Sequence, residues 1–189
     1  MNNKSIKSAL LFSGLIFNST ACAYMHSSHV VGGHLGGIGT QSYDMSQTIE
    51  NEYEIVNMNM AGDLYYRYML NQNFGIEAGL MAGGGAGILN WLGFTDVKNF
   101  HYLAGRTALH ANLPLFLNTN LYGKLGGTAV RIGYEIDEKE TDKTEYGLYG
   151  ALGLEYRFNF GLGLNIQYQY IGTSNFDTES LLFGASYAF

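Results

Sequence analysis

The chain has 189 residues, 47% hydrophobic and 14% charged, with 26 Gly, 15 Tyr, 11 Phe, one Pro, one Cys and a formal net charge of −6. At roughly 150 residues per domain this is one domain, and the absence of a Gly-X-Y period and of Pro excludes collagen and a Pro/Gly-rich disordered chain. A mean hydropathy of −0.03 with no apolar run near 18 residues excludes a transmembrane helix, and Gly at this level, at up to about 1 kcal/mol each in a helix, points to strands.

Residues 1–23 read as a cleaved signal peptide. Lys4 and Lys7 form a positive start, Ala9 to Phe17 a short apolar stretch, and Ala21-Cys22-Ala23 an A-x-A cleavage site. The apolar stretch is too short to span a bilayer. Lipidation at Cys22 is the alternative, but Ser19 stands where a lipoprotein signal carries Leu. Cleavage after Ala23 leaves residues 24–189, without cysteine, with 8 basic and 16 acidic side chains and a net charge of −8. An exported domain without disulfides needs a large core or a closed sheet. The acidic balance disfavours a nucleic-acid partner.

Strands follow in order, marked by period-2 alternation. Val30 to Thr40 is a Gly-broken strand whose faces do not resolve. In 58–70, Met58, Met60, Leu64, Tyr66, Tyr68 and Leu70 alternate with Asn59, Asp63 and Arg67. In 74–82, Phe74, Ile76, Ala78 and Leu80 oppose Gly75, Glu77 and Gly79. In 102–113, Leu103, Thr107, Leu109 and Leu113 oppose Arg106, His110 and Asn112. Leu121, Gly123 and Leu125 oppose Tyr122 and Lys124; Leu148, Leu152, Leu154 and Tyr156 oppose Glu155 and Arg157. Leu162, Leu164, Ile166, Tyr168 and Tyr170 oppose Asn165, Gln167 and Gln169, and the run 181–189 closes the set at eight.

Asn71-Gln72-Asn73 and Asn159-Phe160-Gly161 are tight turns, and Pro114 to Asn120 a longer one. Long polar loops fall at about 41–53, 84–101, 133–146 and 172–179. Short turns at one end and long loops at the other describe an eight-stranded antiparallel up-and-down transmembrane β-barrel.

The strand charges decide which face points inward. Asp63, Arg67, Glu77, Arg106, Lys124, Glu155 and Arg157 all lie on the polar face and none on the apolar one. A soluble barrel would turn its charges outward, whereas a nearly balanced set enclosed in a narrow lumen neutralises itself by pairing. Tyr66, Tyr68, Phe74, Tyr156, Phe158, Tyr187 and Phe189 gather at the short-turn end of the apolar face, and Tyr168 and Tyr170 at the other. Two girdles are what interfacial anchoring predicts.

Three passages now carry a resemblance: Leu121 to Gly126, Leu162 to Tyr170, and Leu181 to Phe189. The chain resembles the small outer-membrane β-barrel proteins of Gram-negative bacteria, the opacity-protein and OmpA/OmpX-like family. The resemblance implies the bacterial outer membrane, loops outside, with outer-membrane lipid and lipopolysaccharide as surroundings. It also implies that the barrel-assembly machinery reads the C-terminal pattern Phe183, Ala185, Tyr187 and Phe189. It leaves function open, since relatives include adhesins, resistance proteins and structural anchors, so a host or matrix ligand of the loops enters as an expectation.

Chemistry is sparse. The lipid A deacylases of this architecture place a His two residues before a Ser; here Gly172 precedes Ser174, which has no nearby base in sequence. His26, His29, His34, His101 and His110 are dispersed, and His110 reads as a packing residue on the lumen face. Gly83 to Gly87 lacks the Gly-Lys-Ser/Thr ending of a phosphate loop and reads as flexible. The charge run Glu135 to Glu145 lacks the spacing of a Ca²⁺ loop, and Ile88 to Phe94 gives the 84–101 loop an apolar tip. The expectation is a non-enzymatic, cofactor-free barrel with four surface loops in a structural or interaction role (adhesion, resistance). A lipid-modifying enzyme and a small channel are the alternatives; the channel is disfavoured because eight strands leave an interior that side chains fill.

Overall fold

A computed structural model of the chain describes residues 28–43, 57–85, 101–136 and 139–189. The segments expected to form the signal peptide, with Ala21 and Ala23, and the Ile88 to Phe94 loop tip lie outside them, as does His26. Eight strands run β1 (His29–Tyr43), β2 (Asn57–Met69), β3 (Phe74–Gly85), β4 (His101–Phe116), β5 (Thr119–Ile136), β6 (Lys139–Arg157), β7 (Leu162–Gly172) and β8 (Phe176–Ala188). Each pairs antiparallel with its sequence neighbours, and β1 closes on β8. No edge remains within the barrel, so backbone polar groups are paired all round, as a hydrocarbon environment demands.

Side-chain alternation places Leu64, Leu80, Leu103, Leu109, Leu125, Leu148, Leu152 and Phe183 on the outside. The opposite set, including Asp63, Arg67, Glu77, Arg106, Lys124 and Glu155, points inward, with Arg157 half-buried at its end. The regularity of β7, in which inward and outward positions alternate throughout, is that of a strand with one face in lipid and one in a packed lumen. Gly83 and Gly153 fit that narrow lumen: the Tyr102 and Tyr122 rings fill the space their Cβ atoms would take.

β1 explains its own illegibility. Val30 and His34 point inward and Val31 and Leu35 outward, but Gln41 is buried and Ile38 and Thr40 are exposed. The register shifts between Leu35 and Ile38 on the β8 side and between Gly36 and Thr40 on the β2 side. One inserted residue at this Gly-rich bulge reverses the alternation.

The inner-end turns are tight. The Asn71 carboxamide oxygen accepts from the backbone N–H of Asn73 and Phe74, both at 2.9 Å. Gly161 closes the β6–β7 turn at φ +99°, a conformation glycine adopts without strain. The expected turn over Pro114 to Asn120 is shorter than that: β4 continues through a register shift at Pro114 to Phe116. Leu117 and Asn118, at φ +39° and +58°, alone make the bend. Two left-handed residues match the twist of a two-residue hairpin.

Two of the four outer connections also differ from expectation. The 133–146 segment is not a loop: β5 and β6 continue as a paired hairpin to Ile136↔Lys139. The 172–179 connection contracts to Thr173-Ser174-Asn175, because β8 starts at Phe176. The apolar wall therefore ends in charges at its outer rim, with Arg131, Asp142, Asp177 and Glu179 exposed there. Gly83, Gly84 and Gly85 belong to β3 instead of a flexible loop.

Candidate functional site

The lumen is built in layers. Toward the outer mouth, Met81, Tyr102, Ala104, Val130, Ile132, Tyr149, Ile171 and Phe176 form a buried apolar cluster. Toward the inner end, Val30, Tyr65 and Met69 form a smaller one. The charged belt runs alongside and between them.

Glu77 is the hub of that belt. Its carboxylate accepts from Arg106 Nη1 at 2.6 Å and Arg67 Nε at 2.9 Å, and Lys124 Nζ lies 2.8 Å away. Arg106 also donates to Asp63 at 2.8 Å, and Asp63 lies 2.6 Å from His34 Nδ1. Arg106 Cζ stands 4.4 Å from the centre of the Tyr149 ring and Lys124 Nζ 4.6 Å from that of Tyr65. Aromatic faces thus supply attraction to cations that water would otherwise supply. Of the seven strand charges, the structure brings five into this linked set. Glu155 and Arg157 stand apart at the inner end, 2.6 Å from each other, with Ser186 donating to Glu155 at 3.0 Å.

Sequence reasoning missed His34 because the β1 bulge hid its face. It also missed a polar ladder above the belt, in which Gln167 bridges Tyr122 and Gln169 and lies 3.4 Å from the Tyr149 hydroxyl. Gln167 and Gln169 had shown only as polar-face positions.

At the outer rim, Glu145 is buried and accepts from Thr173 Oγ1 at 2.5 Å and from Asn175 Nδ2 at 2.7 Å and its backbone N–H at 3.2 Å; Lys143 pairs with it at 3.1 Å. Burial pushes this carboxyl up, but those donors outweigh it and hold it below the usual glutamate range. Further out, a hydrogen bond from Arg131 holds Asp142 low in the same way. Ser174 is exposed, and its two neighbours are committed to Glu145. His110 is buried beside Tyr122, ring centres 5.4 Å apart. His29 lies at the inner rim, its ring 5.7 Å from that of Phe189. Among the described residues no group of three His, Cys, Asp or Glu is placed to hold a metal ion.

Phe183, Ala185 and Tyr187 are on β8, and Phe189 follows its last residue. Phe183, Ala185, Tyr187 and Phe189 are all exposed on the outer wall, and Phe189 donates its backbone N–H to His29 at 2.9 Å.

A closed eight-stranded sheet, apolar outside, charged and filled inside, and girdled by exposed aromatics at both ends, defines an integral β-barrel membrane protein. The family model of the outer membrane protein beta-barrel domain matches residues 8–189. The chain belongs to that family, and its place is the bacterial outer membrane.

Solved structures agree on the fold. Neisserial surface protein A is 13% identical, with 86% of this chain and 98% of that one covered and a TM-score of 0.65. Ail, the attachment invasion locus protein of Yersinia pestis, is 14% identical, with 86% and 99% covered and a TM-score of 0.59. A second Ail structure holds the heparin analogue sucrose octasulfate; it is 14% identical, covers 86% and 97%, and has a TM-score of 0.51. OprG of Pseudomonas aeruginosa is 14% identical, with 88% and 97% covered and a TM-score of 0.55. No curated protein sequence matches the chain.

Proposed function

We propose that the protein is a non-enzymatic surface-interaction protein whose barrel serves as the mount for its outer connections. The observation that carries this reading is the β5–β6 hairpin. Among the described residues, pairing of β4 to β5 reaches His101↔Gly133 and pairing of β7 to β6 ends at Leu148↔Gly172, while the hairpin runs on to Ile136↔Lys139. Among the described residues, 139–147 of β6 therefore pair with no strand on the β7 side, the Thr173 to Asn175 turn meeting them at Glu145. A free sheet edge accepts an extended segment of another polypeptide by backbone pairing.

Charge selects the partner. Residues 131–145 carry six acidic and three basic side chains. A sulfated polysaccharide of the kind represented by the heparin analogue on Ail is disfavoured here, and a basic extended segment of a host or matrix protein is favoured. Outer-membrane lipid, including lipopolysaccharide, surrounds the wall in this reading. Phe183, Ala185, Tyr187 and Phe189 serve the barrel-assembly machinery after export directed by residues 1–23.

The enzyme reading has little support in the geometry of the rim, where Ser174 lies between two residues that serve Glu145. The channel reading meets the apolar cluster that fills the outer lumen.

The test is adhesion of cells displaying the protein to host cells and to immobilised matrix proteins. Binding that falls at least tenfold when residues 134–144 are replaced by a two-residue turn, and that weakens with salt, supports the reading. Unaltered binding in that variant, with the barrel folded, contradicts it.

A further inference from the structure

Among the described residues, the charged belt has one more cation than carboxylate. Arg67, Arg106 and Lys124 share Glu77 and Asp63, while Glu155 and Arg157 neutralise each other. An uncompensated charge in so dry a place is costly, and it is tolerated where an opposite charge joins it.

The excess falls beside unused polar atoms. Lys124 is 4% exposed; its ammonium gives one N–H to Glu77 Oε1 at 2.8 Å, and its other N–H groups meet only the Tyr65 and Tyr122 ring faces. His110 is the cross-strand partner of Lys124 and is 1% exposed, with both ring nitrogens unpartnered. The Tyr122 ring packs against both, its centre 5.4 Å from that of His110 and 5.4 Å from Lys124 Nζ. Arg67, whose Cζ is 5.9 Å from the same ring, adds positive potential from β2.

We propose that Lys124 and His110 form a binding site for a monovalent, halide-sized anion in the inner half of the lumen. The ammonium and one imidazole N–H donate to it, so one ion satisfies the orphaned donors and cancels the excess charge. The apolar cluster of Tyr102, Val130, Ile132 and Phe176 lies on the outer side of the belt. The partly exposed Arg157 marks the inner end as the route of exchange. The site is a resident one, not a step in conduction.

Two measurements test it on the folded barrel. Urea midpoints are taken in lipid while chloride replaces gluconate at constant ionic strength, and crystals are soaked in sodium bromide for anomalous scattering. The expected midpoint climbs with the logarithm of chloride above half-saturation, with a bromide peak between Lys124 Nζ and the His110 ring. Lys124→Met, which removes the excess cation, abolishes both. No chloride-specific shift in the wild type, a water or no peak at that position, or an equal shift in Lys124→Met overturns the proposal. The wild-type comparison stands even if the variant fails to fold.

Discussion

Arg106 on β4 and Glu77 on β3 meet at 2.6 Å although they are not cross-strand partners: Arg106 is paired with Gly79 and Glu77 with Ala108. The guanidinium reaches diagonally across the lumen wall, and its other amino group continues to Asp63 at 2.8 Å. One side chain thus ties β2, β3 and β4 together from within, and Lys124 brings in β5 through the same carboxylate. The belt acts as an internal strap on half of the barrel.

Removal of the hub should be severe. Glu77→Ala leaves Arg67, Arg106 and Lys124 facing Asp63 alone, and breaking a buried ion pair from one side costs about 3–5 kcal/mol. Urea unfolding in lipid vesicles should show a loss of that size. A Glu77→Ala barrel as stable as the parent would remove the belt from any account of stability.

The rim should respond to acid. Glu145 is held below the usual glutamate value of 4.5 in the folded barrel. A lowered folded value means that its contribution is complete above the unfolded value and is lost as pH falls through the folded one. Hydrogen exchange at the Asn175 amide, which donates to Glu145 at 3.2 Å, should accelerate relative to the intrinsic rate once pH drops below about 4.5. In Glu145→Gln that step should vanish. A wild-type amide equally protected across the acid range would contradict the assignment.

The lipid-facing wall gives a third outcome. Leu125 is 68% exposed near the middle of β5, and an Arg at bilayer mid-depth costs about 2–4 kcal/mol. Leu125→Arg should lower stability by that amount in lipid. A neutral effect would place Leu125 in water.

Phe189 closes the barrel on two counts, donating its backbone N–H to His29 and stacking on its ring. Deletion of Phe189 should reduce the heat-modifiable, folded fraction in the outer membrane several-fold. Unchanged gel mobility and yield would remove the C-terminal pattern from assembly.

Much of this was legible in the sequence, and the parts that were not have physical causes. The inward set Asp63, Arg67, Glu77, Arg106, Lys124, Glu155 and Arg157 could be read because a strand repeats every two residues. Which cation meets which carboxylate could not, because that depends on the stagger between strands: Lys124 and Glu77 are two strands apart. His34 was hidden by the single-residue bulge that reverses β1. The β5–β6 extension was hidden by composition, since Glu, Asp and Lys are poor strand formers and Glu135 to Glu145 reads as a solvated loop. The 172–179 segment misled for the same reason, its Asp177 and Glu179 lying on the outer rim of a strand.

The central claim is that one face of each strand lies in lipid, the other in a filled lumen, and that β5 then leaves the membrane. It is tested by nitroxide labels at successive positions from Leu121 to Gly133 in lipid, on residues 24–189, which carry no cysteine of their own. The account predicts that labels at Leu121, Gly123, Leu125, Gly127 and Ala129 meet oxygen but not a polar relaxation agent. Labels at Tyr122, Lys124 and Val130 should meet neither, and those at Arg131 and Gly133 should meet the polar agent. Polar accessibility at Leu125 and Gly127 equal to that at Arg131 would contradict it.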